Sequence, residues 1–265
     1  YFIISGYGAF SEGYFLIITK EFIPSYGLDN KKNIDELKFL ISIIKKINFL
    51  KYGRNSVVFE HGMCACVGGL DRAHLHIMTL HEKTNEKSLR ISIDQTLYNR
   101  KAGIKFIEFE KHKLENIHDI NHFFEHSKNY KDKDIKIHGK ILQVNDIQNL
   151  SSNNWPFNTL EHIKKGGHYV YFKSQYNSSS FLTTHNFQTQ FGREVVYLNE
   201  LKHNRKLEKQ MSKIVRKNPY SEPWKWQNCM FEKNIIRTIK FSRKYLNKLY
   251  KNESEKFKKF DIEII

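Results

Sequence analysis

The sequence predicts an α+β fold, an antiparallel sheet with flanking helices and a C-terminal helical extension. Three observations carry this prediction. Short β-branched and aromatic runs follow one another with hairpin-length links, beginning with residues 1–10 and 14–20 around Ser11, Glu12 and Gly13. A run with apolar residues three and four apart lies between the early strands, as an amphipathic helix requires. The second half is dominated by long, charged, helix-like stretches, a segregation of strands and helices that favours α+β over a parallel α/β sheet.

The elements follow in order. Pro24, Gly27, Asp29 and Asn30 mark a loop after the first hairpin. Residues 33–50 carry Ile34, Leu37, Leu40, Ile41, Ile44 and Ile47 with lysines between them, and Asn33 suits an N-cap. Residues 55–60 and 73–80 read as strands, 88–100 as a helix and 104–109 as extended. Further on, 134–144 and 167–174 read as strands, and 151–154 and 178–180 as polar loops. Residues 188–215 and 232–250 read as helices, and the Lys-rich 251–259 as a solvated helix end. No repeat and no clear linker divides the chain. The expected organisation is a core over 1–112 and an extension over 113–265 packed against it.

Composition bounds the function. The chain has 265 residues, 40% hydrophobic and 14% aromatic, enough for a substantial core. No apolar run reaches eighteen residues, so no transmembrane helix and no membrane partner is expected. The chain opens at Tyr1 within a strand-like run and without an initiator methionine, as a fragment or trimmed chain does, so a lost targeting segment stays open. A net charge of +16 suits nucleotides or nucleic acid as partners. The competing explanation is compositional: Lys outnumbers Arg 35 to 9, a bias that an AT-rich genome produces unaided, whereas phosphate grips favour Arg. Three cysteines, Cys64, Cys66 and Cys229, form no disulfide framework and suit an intracellular, reducing location, cytoplasmic or nuclear.

The densest chemistry lies in "FEHGMCACVGGLDRAHLHIMTL", residues 59–80. On a strand, alternate residues share a face, so Arg72, His74 and His76 form one row and Ala73, Leu75 and Ile77 the other. If the apolar row faces the core, the histidine row faces a pocket bordered by the preceding loop. Gly68 and Gly69 lack side chains, and their amides suit close approach to a phosphate; a tight turn before a strand explains the same pair. Cys64 and Cys66 with His74 and His76 supply the donor types of a zinc site, but their spacing is tighter than structural zinc sites use. Glu60 and His61 end the preceding strand beside the same pocket.

The segment "GLDRAHLHIMTL" resembles the signature of the histidine-triad superfamily, His-φ-His-φ-His-φ-φ with φ apolar. "GYFLIITKEFIPSYGLD", a helix and "VVFEHG" are similar to that family's leading strand, loop, helix and strand. The fainter pieces "GHYVYFKS", "FQTQFGREVV" and "WKWQNCMFEKNIIRTI" are similar to a bacterial-type subgroup with an extended C-terminal half. The resemblance implies a nucleotide hydrolase or nucleotidyl transferase acting at an α-phosphate on a nucleotide or dinucleotide, without cofactor or metal, and a homodimer in many members.

By position, the resemblance makes His74 the nucleophile, His76 the phosphate contact, and Gly68 and Gly69 the phosphate loop. Arg72 stands where the family has its first histidine, and Phe22, following Lys20 and Glu21, where it has a loop histidine. Arginine does not lose its proton at working pH, so Arg72 is expected to clamp phosphate and to favour neutral His74. His61 is expected to assist the leaving group or contact the sugar. The alternative reading is a catalytically degenerate nucleotide- or RNA-binding module.

Weaker signals remain. Arg193 is expected either at a phosphate or paired with Glu194 or Glu200 on the surface. His118, His122 and His126 recur every fourth residue, a stripe best read as a plain helix face. Trp224 and Trp226 read as docking a C-terminal helix rather than stacking a base.

Overall fold

A computed structural model of the protein describes residues 1–23, 26, 34–62, 72–99, 106–109, 135–138, 168–176, 178–183, 190–217, 222–252 and 254–260. The strands are β1 (Phe2–Ser5), β2 (Phe15–Ile18), β3 (Ser56–Gly62), β4 (His74–Thr79), β5 (Phe106–Phe109), β6 (Ile135–His138), β7 (His168–Lys173) and β8 (Ser178–Thr183). The helices are α1 (Ile34–Tyr52), α2 (Glu86–Asn99), α3 (Phe191–Leu201), α4 (Arg205–Lys217), α5 (Glu232–Asn252) and α6 (Ser254–Lys259). Among the described residues the strands form one sheet in the order β1-β2-β4-β3-β7-β8-β5-β6, and its pairings are antiparallel. The architecture is α+β.

The β1–β2 hairpin, α1, β3, β4 and α2 lie where the apolar patterns predict them. Two readings need correction. Residues 178–180, expected in a polar loop, begin β8, because their backbone pairs with β7 from Lys173↔Ser178 onward. Serine is a poor strand former, and ladder pairing overrides that weak preference. The helix expected over 188–215 is two helices that break at 202–204. At that corner the Asn204 side chain caps α4 by accepting the Leu207 N–H at 3.0 Å. In addition, β7 lies beside β3 in the same sheet, so strands from either side of residue 112 share one layer.

Period-two alternation sorts the central strands onto two faces. Phe15, Ile17, Val58, Leu75 and Ile77 face α1 and α5, with Leu37, Leu40, Ile44 and Ile47 of α1 against them. The opposite face presents Leu16, Ile18, Val57, Phe59, Val170 and Phe172 toward Leu89 and Ile93 of α2 and Phe191, Val195 and Val196 of α3. Both faces of the central sheet are therefore covered. Burial of this kind is worth about 25 cal/mol per Å² of apolar surface removed from water.

Candidate functional site: a buried histidine cluster

The two histidines of β4 lie on the α3 side of the sheet. Register fixes this: His76 stands opposite Leu16 of β2 and Phe59 of β3, and His74 opposite Ile18. The expectation that this row faces an open pocket is corrected in part. His74 is half-buried, but His76 is buried at 7% exposure, because α3 covers this face as α1 covers the other.

Each ring is held by a specific contact. His74 Nδ1 is 3.0 Å from the Arg72 carbonyl oxygen. A carbonyl only accepts, so Nδ1 carries the proton and Nε2 keeps its lone pair. The Phe59 ring lies parallel to the His76 ring at 4.6 Å between centroids, and the Tyr14 hydroxyl is 2.7 Å from His76 Nδ1. The Arg193 guanidinium lies over the Tyr14 ring, its Cζ 5.2 Å from the centroid, and among the described residues the buried Tyr14 hydroxyl finds its acceptor in His76 Nδ1. With Nδ1 accepting, the proton of neutral His76 sits on Nε2, a buried atom with no hydrogen-bond partner among the described residues. The rings lie 5.0 Å apart, so one lone pair and one N–H donor stand side by side.

Burial holds both imidazoles neutral. It pushes His74 below the ordinary histidine value, against a smaller opposing effect of the Arg72 carbonyl. It pushes His76 well below that value, with His74, His61 and Arg193 adding to the effect. The expectation that the Arg72 guanidinium keeps His74 neutral is therefore replaced by desolvation. Arg72 Nη1 instead donates to the Lys20 carbonyl at 2.7 Å, tying the start of β4 to the end of β2. What Arg72 gives His74 is its backbone carbonyl, which any residue at that position supplies.

The other expected site residues divide. His61, buried, lies 5.9 Å from His76 between ring centroids, and its Nε2 accepts the Gly192 N–H at 3.2 Å. That contact sets the N-terminus of α3 on the cluster. A Cβ at Gly192 would come within 2.2 Å of the Phe59 ring, so only glycine lets the helix approach this closely. Glu60, expected beside His61, points to the opposite face, where Oε1 accepts the Tyr26 N–H at 2.8 Å. A one-residue step along a strand reverses the face. The Lys20 side chain is exposed at the end of β2, with Nζ 5.8 Å from the Phe2 ring centroid.

Arg193 is corrected most. It is 1% exposed and faces neither phosphate nor solvent. Its Nε donates to the Trp224 carbonyl at 2.9 Å, Nη1 to the Tyr7 carbonyl at 3.2 Å, and Nη2 to the Gly8 carbonyl at 2.6 Å and Cys229 Sγ at 3.0 Å. Gly8 has φ of +71°, and a Cβ there would come within 2.4 Å of the Trp226 backbone. Arg193 thus clamps the hairpin loop to the segment leading into α5. The tryptophans serve that docking: Trp226 N donates to Gln190 Oε1 at 3.0 Å, and the Trp224 ring lies 5.9 Å from Tyr197.

Gly68, Gly69, Cys64, Cys66, His118, His122 and His126 lie outside the described residues. Among those described, no group of three or more His, Cys, Asp or Glu is placed to hold a metal ion. The sequence reading missed Tyr14, Phe59 and Gly192. Tyr14 and His76 are 62 positions apart, and no local pattern joins them.

No helix among the described residues is long and apolar enough to cross a membrane. A comparison with protein-family models and with curated proteins finds no match to this chain.

Proposed function

We propose that the protein is a nucleotide hydrolase or nucleotidyl transferase with His74 as nucleophile. The observation that carries this reading is the tautomer pair: a neutral imidazole that keeps its lone pair at Nε2, beside a second imidazole whose N–H has no partner among the described residues. In the proposed reaction His74 Nε2 attacks the α-phosphorus of a nucleotide. A P–N bond forms, and the bond to the leaving oxygen breaks with its electron pair. Water or another acceptor then displaces the imidazole and releases the nucleoside monophosphate. His76 Nε2–H meets charge developing on a phosphoryl oxygen, a preorganised donor in a dry setting. The resemblance to histidine-triad proteins supports the same assignment, and Gly68 and Gly69 would add backbone donors.

Turnover of a panel of dinucleotides and nucleoside phosphoramidates tests the proposal. His74→Ala is expected to lower kcat by about 1,000-fold or more while nucleotide binding persists. Arg72→Ala retains the carbonyl that orients His74 and is expected to lose less than about tenfold. A large gain in Arg72→His would identify Arg72 as a damaged triad position. A parent protein that binds nucleotides and turns over none of the panel overturns the enzyme and leaves the binding module.

A further inference from the structure

The positive surplus of the chain is not spread evenly. Helices α4 and α5 together hold 13 of the 44 Lys and Arg but 2 of the 28 Asp and Glu, whereas α1 carries four Lys and two acids. A codon bias toward Lys raises cations everywhere and does not clear acids from particular helices. α5 is the longer of the two, and its cations are ordered. Lys233, Arg237, Lys240, Lys244, Lys248 and Lys251 follow one another at steps of three or four residues. At 3.6 residues per turn those steps set all six on one face, within an arc of about 80°. The line runs about 27 Å along the helix axis. All six side chains are exposed, and α5 buries Thr238, Phe241, Ser242 and Leu249 elsewhere on its circumference.

Such a line opposes the helix that carries it. Like charges three and four residues apart repel, and no acid interleaves the six. Among the described residues Arg237 meets Glu12 at 3.1 Å, and the other five form no ion pair. A polyanion laid along the line relieves this repulsion and releases its own counterions. A membrane-surface helix turns its apolar side to lipid, whereas Phe241 and Leu249 of α5 are buried in the core with α1. A protein interface needs a buried apolar centre, and no apolar residue stands within the line.

We propose that α5 is a docking track for the sugar–phosphate backbone of a nucleic-acid strand, with its cations on successive phosphates. The contact reads charge and not base sequence. It is independent of the chemistry proposed at His74.

Anisotropy titration of the full chain with fluorescent 20-mers of oligo(U) RNA and oligo(dT) DNA, repeated across salt concentrations, tests this. Saturable binding is expected, with log affinity falling against log salt at a slope of about −4, as six phosphate contacts on a single strand give. Combined Lys233→Gln, Lys240→Gln, Lys244→Gln and Lys248→Gln is expected to weaken binding at least about tenfold and to flatten the slope to about −1.5. Combined Lys38→Gln, Lys51→Gln, Lys83→Gln and Lys87→Gln removes the same charge from other exposed positions and is expected to cost less than about threefold, because salt screens distant charges. Circular dichroism and the thermal midpoint verify that both variants are folded, and His74→Ala retains the parental affinity. Absence of saturable binding at low salt with up to about 100 μM protein overturns the proposal, since non-specific phosphate contacts already reach that range. Equal losses in the two lysine variants, or binding to phosphatidylserine vesicles with none to either oligonucleotide, overturn it as well.

Discussion

The two faces of the central sheet are built differently. Against α1 and α5, the row Phe15, Ile17, Val58, Leu75 and Ile77 is an apolar layer of the ordinary kind. Against α3, the apolar layer is interrupted by Tyr14, His61, His76 and Arg193, all buried. Buried polar groups are costly unless paired. On this face they are paired largely with backbone or with one another: His61 with the Gly192 amide, Arg193 with three carbonyls, His76 with Tyr14. The difference separates the face that holds the fold from the face that holds reactive groups in a fixed protonation state.

Stability measurements sharpen the contrast. Arg193→Met is expected to cost about 3–5 kcal/mol in denaturant unfolding, because carbonyls of Tyr7, Gly8 and Trp224 lose their donor at once. Ile77→Ala on the apolar face is expected to cost about 2–5 kcal/mol through its cavity. The two differ in reach. Arg193→Met should also release the residues 224–229 segment to proteolysis, and Ile77→Ala should not. Equal protection of that segment in both variants would remove the clamp from the account.

A smaller effect is expected from pH. His74 and His76 are held below the ordinary histidine value in the folded protein. As pH falls below about 6.5, the unfolded chain takes up protons that the folded imidazoles refuse, so stability declines; above that value both states are neutral and the effect vanishes. His76→Gln keeps a partner for Tyr14 and removes the titration. It is expected to reduce the decline by up to about 1.4 kcal/mol per pH unit between pH 6.5 and 5. An unchanged slope would mean that His76 is charged in the folded protein.

The smallest effect concerns Glu200, 0% exposed and without a hydrogen bond at either carboxylate oxygen among the described residues, with Arg54 Nη1 3.8 Å away. Burial raises its carboxyl above the usual value. The raised carboxyl opposes folding increasingly as pH rises past about 4.5, where the unfolded carboxylate ionises and the folded one resists. Glu200→Gln is expected to stabilise by about 1 kcal/mol near pH 8 and by less near pH 4.5, read from thermal melts.

The same contrast explains what was legible in the sequence. Alternation in β2, β3 and β4 and the three–four spacing of α1 identify the apolar face directly, because each signal is local. The histidines of β4 are also visible, and alternation assigns them to one side. Their surroundings are not. Whether His76 is open or covered depends on α3, more than a hundred residues later, and Arg193 reads as a surface or phosphate-binding residue until its backbone partners are known. Glu60 and His61 are neighbours in sequence, and only register separates them onto opposite faces. Arg72 raises a question about its side chain, whereas its contact with His74 runs through the main chain.

Direct trapping of the intermediate tests the central claim. The protein is mixed with a labelled dinucleotide, quenched within milliseconds to seconds in alkali, and its peptides are mapped by mass spectrometry. An acid-labile nucleoside monophosphate adduct is expected on the peptide containing His74, present during turnover and absent in His74→Ala. Turnover with no adduct on any histidine, or with an adduct at His76, would contradict it.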